Sequence, residues 1–194
     1  MFAFKKKYYL IIESIKDIDL SNIKKKSKFN IIYRYKRKHE NIEDLINFRR
    51  SCRCKSITFF IANNAKLATR TNADGIYISA YNKDLSYLRL KKLKKRLIGS
   101  AHNIKELNHK ILQGCENVLV SRLFKTNYTF KSGNLGVVRF NFLGQLRKIS
   151  LTALGGIKLS NLNKLKMIES DGIALLSEIK KKPVISNRLF WIEY

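Results

Sequence analysis

Residues 57–79 read ITFFIANNAKLATRTNADGIYIS, and this stretch decides the fold. Two short runs rich in β-branched and aromatic residues, 57–62 and 75–79, bracket a polar segment that opens at Asn63-Asn64, where a helix begins. Runs that are apolar throughout, rather than alternating, predict strands buried on both faces, the mark of a parallel sheet covered by helices.

Working outward, the same kind of run recurs at 8–12, 30–35, 97–101, 117–121, 149–154 and 172–176, which makes eight candidate strands. Helical periodicity fills several of the gaps. In 103–114, Ile104, Leu107 and Ile111 recur at helical spacing, with Asn103 able to cap the start and Gly114 the stop. Residues 160–170 repeat the design, with Ser160 as the cap and Leu162, Leu165 and Ile168 on one face. Glu43-Asp44 precede Leu45, Ile46 and Phe48, and Arg49-Arg50 follow, an order that suits the helix dipole. About eight strand-then-helix units predict an α/β fold, a short (β/α)8 TIM barrel, with an open doubly wound sheet as the alternative. At 194 residues some helix must be reduced. Residues 15–28 are weakly periodic and the end of the chain carries Pro183, so the first or the last helix is the candidate. The expected organisation is a single barrel over 1–179 and a C-terminal tail over 180–194.

Composition bounds the function. Hydrophobic residues are 45% and aromatic residues 11% of the chain, too many for a disordered one. The formal charge is +26, but it comes from 28 Lys against 12 Arg, beside 23 Ile and 17 Asn, all three residues with AT-rich codons. The lysine runs 5–7, 24–26 and 180–182 are scattered and do not interleave with aromatics, so nucleic acid is not the expected partner. Cys52, Cys54 and Cys115 form neither a disulfide framework nor, with His39, His102 and His109, a zinc set. The apolar run 8–12 is too short for a signal-peptide core and no stretch is long enough to span a membrane, so the cytoplasm is the expected location.

In a barrel the chemistry sits where strands end. Gly155-Gly156 follows the seventh run, where backbone amides can approach a phosphate closely; a tight turn needing positive φ explains the glycines equally well. Arg34 and Lys36 share a strand face and can aim two cations at one phosphate, or line a solvated edge. Asn63-Asn64 closes the third run, and Ser100 and His102 close the fifth, with His102 either a general base or a structural histidine.

The segments 61–68, 72–78, 100–103, 154–157 and 170–177, in that order, resemble the thiamine phosphate synthase and TenI superfamily over roughly residues 7–179. Asn63-Asn64, a short helix and Ala73-Asp74-Gly75 are the most specific part. The resemblance implies a barrel that joins a hydroxymethylpyrimidine pyrophosphate to a thiazole phosphate and releases pyrophosphate. It assigns Arg34, Lys36 and Asn63 to the pyrophosphate, Ser100 to the reaction centre, and Thr126, Gly156 and Ser177 to the thiazole phosphate. It also implies Mg2+ as cofactor, but the two metal-binding aspartates fall on Asn64 and Asn82, and a glutamine before Arg34 falls on Ile32. Neutral amides are weak partners for a hard cation, and Asp84 is the candidate substitute. In the loop 121–129 only Thr126 keeps its register with the synthase pattern. Three functions follow from the resemblance: a divergent synthase; a TenI-like thiazole isomerase using His102; or a silent barrel that binds phosphorylated thiamine precursors or a polyanion. Oligomeric state is left open.

Overall fold

The computed structural model describes residues 7–23, 28–126, 133–146 and 149–176. Eight parallel strands, β1 (Lys7–Ile12), β2 (Phe29–Tyr33), β3 (Thr58–Ala62), β4 (Gly75–Ile78), β5 (Arg96–Ala101), β6 (Asn117–Ser121), β7 (Ser150–Leu154) and β8 (Gly172–Leu175), pair in sequence order. β8 pairs back onto β1, which closes the barrel and excludes the open sheet. The predicted strand positions hold to within two residues at each end.

Strand alternation sorts the apolar side chains into two cores. Ile31, Tyr33, Phe59, Ile61, Ile76, Ile78, Leu97, Val118 and Val120 face the helices. Tyr9, Ile11, Ile32, Phe60, Ala62, Tyr77, Ile98, Leu119 and Ala174 fill the bore. The N-terminal end of the bore is plugged by a polar layer: the Thr152 hydroxyl donates to Asn117 Oδ1 (3.0 Å), Asn117 Nδ2 donates to the Ser150 hydroxyl, and the Arg96 guanidinium lies over the Phe60 ring. Among the described residues, the open end of the bore is therefore the C-terminal one.

One joint occurs twice. Asp74 and Asp171 each precede a strand-opening glycine. The Asp74 carboxylate accepts the amide of Phe59 (2.7 Å) and its carbonyl accepts the amide of Arg96 (3.0 Å); the Asp171 carboxylate accepts the amide of Leu151 (3.2 Å) and its carbonyl accepts that of Lys7 (3.0 Å). At Gly75 and Gly172 the next strand's carbonyl, Arg96 O and Lys7 O respectively, passes so close to where a Cβ would stand that no larger residue fits. Asp74 also holds Arg49 of α1 (Ile42–Cys54) in an ion pair. The Asp-Gly of the most specific sequence segment is therefore a structural joint at the end of the barrel opposite the mouth.

The remaining helices are α2 (Ala65–Arg70), α3 (Arg89–Lys92), α4 (Ile104–Leu112), α5 (Gly136–Leu146) and α6 (Leu162–Leu165). α4 is built as read: Asn103 Oδ1 caps the Glu106 amide (2.9 Å), and Gly114 ends it at φ 76°. Of the two candidates for a reduced helix, the stretch after β8 lies outside the described residues, and the one between β1 and β2 is reduced among them. It is replaced by two 3₁₀ turns, Ile15–Asp17 and Leu20–Asn22, because Ser14 with Asp17 and then Asp19 bond local backbone amides and compete with helix propagation. The helix expected over 160–170 shrinks to α6. Asn161 donates to the Gly156 carbonyl (2.7 Å) and accepts the Lys158 amide (2.8 Å), so its side chain tethers the loop and does not cap. The expected tail, 180–194, lies outside the described residues, and among those residues no helix is long and apolar enough to cross a membrane.

Candidate active site at the C-terminal mouth of the barrel

Parity along each strand continues into the mouth. Ile32 lies in the bore, so Arg34 does; Ile98 does, so Ser100 does. Tyr77, 2% exposed and on the same bore face, lies beside both, near enough for each to act on its phenol. Burial pushes the Tyr77 phenol above its ordinary value, and the contacts with Ser100 and Arg34 pull the other way. Tyr77 was not among the residues singled out, since an aromatic in an apolar strand reads as core. The signal was its parity with Gly75 and Ser79 on the bore face.

Asn63 leaves β3 in the left-handed region, φ 52°, and ties β3 to the loop after β4. Its Oδ1 accepts from the Ser79 amide (3.0 Å), the Ser79 hydroxyl (3.1 Å) and Asn82 Nδ2 (3.2 Å). Its Nδ2 donates to Ser79 Oγ (2.8 Å) and to the Tyr81 hydroxyl (3.4 Å), and its carbonyl accepts the Tyr87 hydroxyl (2.8 Å). Asn64 caps α2 through Leu67 N (2.9 Å) and donates to the Tyr35 hydroxyl (2.9 Å). The Asn82 carbonyl is gripped from outside by Lys110 Nζ (2.6 Å) and Gln113 Nε2 (3.1 Å).

Not every expected pairing forms. Lys36 stands apart from Arg34 and pairs with the Glu13 carboxylate at 3.0 Å. His102 is half exposed, with Nδ1 on Glu106 Oε2 at 2.9 Å, at the start of α4. Thr126 and Gly156 do converge: the loop carbonyls of Phe124 and Lys125 crowd Gly156, which sits at φ 71°, and the buried Thr126 hydroxyl has no partner among the described residues. An orphaned buried hydroxyl next to a glycine turn is a place where a ligand oxygen would be welcomed. Ser177 lies outside the described residues.

The Mg2+ implied by the resemblance does not fit this donor set. Hard cations take carboxylates, and Asn64 Oδ1 and Asn82 Oδ1 are committed to the amides of Leu67 and Asp84 (2.9 Å each). Asp84 caps the turn Leu85–Leu88 with both oxygens on Ser86, so it is no substitute. Among the described residues no group of three or more His, Cys, Asp or Glu side chains could hold a metal.

The family model described as thiamine monophosphate synthase matches residues 20–179. A thiamine-phosphate synthase of Prochlorococcus marinus (strain AS9601) is 26% identical over 172 residues, covering 87% of this chain and 48% of that protein. One of Pelagibacter ubique (strain HTCC1062) is 27% identical over 195 residues and covers 93% of both. The chain spans about half the length of several of the curated relatives it matches, such as the Prochlorococcus protein. Among solved structures, the thiamine phosphate pyrophosphorylase from Pyrococcus furiosus superposes with a TM-score of 0.73 at 19% identity, covering 94% of this chain and 92% of that one, a likeness of fold. With the model matched over most of its length, the chain belongs to the thiamine monophosphate synthase family.

Proposed function

We propose that this barrel carries out the synthase reaction, joining a thiazole phosphate to a pyrimidine pyrophosphate. The carbon–oxygen bond to pyrophosphate breaks with its electron pair on the leaving group, and the thiazole ring nitrogen uses its lone pair to form the new carbon–nitrogen bond. No proton has to move, so the protein's task is to hold two anions and stabilise a departing one. The parity that brings Arg34 and Ser100 to the bore mouth beside Tyr77 carries the reading: a guanidinium and a hydroxyl stand on the face where the leaving group would be stabilised. Asn63 lies on the same side, Lys36 supplies a cation at the rim, and Thr126 and Gly156, with Ser177, take the thiazole phosphate. Three free thiols agree with a cytoplasmic setting.

A second reading, a metal-independent thiazole isomerase, rests on the His102–Glu106 pair, which engages Nδ1 and leaves Nε2 as the base. One set of assays separates the two. Purified protein given both synthase substrates forms thiamine phosphate, Arg34→Ala lowers kcat about 10²-fold, and His102→Ala leaves coupling unchanged. Loss of a thiazole isomerisation in His102→Ala, with no coupling by the parent protein, would favour the second reading. Neither activity in any variant would leave a silent binding barrel.

A further inference from the structure

Replacing a carboxylate by a carboxamide does more than weaken a cation site, because it trades an acceptor for a donor. Around Asn63, Asn64 and Asn82 the acceptors are used up inside the protein: Asn63 Oδ1 takes three donors, Asn64 Oδ1 takes the Leu67 amide and Asn82 Oδ1 the Asp84 amide. The surplus is protons. Tyr35 accepts from Asn64 Nδ2 and Tyr81 from Asn63 Nδ2, so each phenol keeps its own O–H to donate. Tyr87 belongs to the same network, its hydroxyl donating to the Asn63 carbonyl (2.8 Å) and accepting from Asn82 Nδ2 (3.4 Å), and Arg34 reaches the mouth on the bore face of β2. Of the carboxylates nearby, Asp84 is turned to Ser86, Glu40 accepts the Tyr33 hydroxyl and Glu13 pairs with Lys36. Surplus donors, a guanidinium and neighbouring carboxylates that are each engaged within the protein describe a surface for an anion.

We propose that this amide–phenol cluster binds the pyrophosphate group directly, through Tyr35, Tyr81 and Arg34, with no divalent cation between. The proposal rests on the synthase reading for the choice of anion, and deepens it. Hydrogen bonds from neutral donors strengthen when the acceptor is charged, so phenols backed by amides can stand in for part of what a metal supplies.

Calorimetric titration with inorganic pyrophosphate tests it on the intact protein, once with a chelator and once with excess Mg2+. Binding in the chelator, changed less than about twofold by Mg2+, is the expected result. Tyr35→Phe, which removes one oxygen from a half-buried ring, should weaken that binding about tenfold, the worth of a hydrogen bond to a charged group. Asn64→Asp should abolish it in the chelator, since a carboxylate then faces the anion, and Mg2+ should restore it. Pyrophosphate binding that requires Mg2+ in the parent protein would overturn the proposal and leave the synthase reading standing. No binding in either condition would overturn it too, and the coupling assay then decides the reaction by itself. Unchanged affinity in Tyr35→Phe would remove the phenols from the account.

Discussion

Lys110 is fully buried, yet its ammonium meets only neutral acceptors, the Asn82 carbonyl and Gln113 Oε1 (2.7 Å). Burial pushes its pKa down to about 8, with Cys115 and Glu106 acting the other way. The unfolded value is 10.5, so below about pH 8 both states hold the proton and the full cost of burying the charge is present. Between about 8 and 10.5 the unfolded chain keeps a proton the folded one has shed, and stability rises with pH. Lys110→Met should remove that rise, a difference on the order of 2 kcal/mol between the two proteins' slopes when urea denaturation is compared at neutral and alkaline pH. Parallel pH profiles would contradict it. The residue also couples two regions, because it grips the loop that carries Asn82 into the mouth. This layer of the site was not legible in the sequence. Arg34, Asn63 and Ser100 stood out as polar groups at strand ends, whereas Tyr77 and Lys110 belong to an apolar strand and an amphipathic helix, where their roles depend on which face is turned inward.

Among the elements, those whose caps and stripes agree were readable. α4 has Asn103 on the Glu106 amide, Glu106 Oε1 accepting Asn103 Nδ2 (3.0 Å) and Glu106 Oε2 accepting the His102 amide (2.7 Å). Asn103→Ala should therefore cost about 1 kcal/mol of stability, read as a lower denaturation midpoint at unchanged slope, and a loss too small to measure would refute the cap. α6 carries a similar apolar stripe but falls short of its expected length, since Asn161 serves the Gly156 loop instead. α5 escaped notice for another reason. Its apolar residues include buried Phe140 and Leu143 and exposed Val138 and Phe142, so no single face stands out. The strands were legible because runs buried on both faces need no pattern at all, and the lost first helix was legible because residues 15–28 show none.

The whole molecule must live with a formal charge of +26. Among the described residues Asp74 pairs with Arg49, Glu116 with Arg96 and Glu13 with Lys36, and with 40 Lys and Arg against 14 Asp and Glu most of the lysines repel one another across solvent. Self-repulsion of this kind weakens a compact state and is screened by salt. Thermal unfolding followed by circular dichroism should move upward in Tm as sodium chloride is added, by about 2–4 °C for each kcal/mol of repulsion relieved. A Tm that falls or stays level would show that the charges are neutralised by some other means. A cylinder of staves is usually weakest where its first and last meet. Here the Asp171-Gly172 joint that fastens Lys7 repeats, bond for bond, the Asp74-Gly75 joint that fastens Arg96, so the seam is built like an interior junction and offers unzipping no preferred starting line.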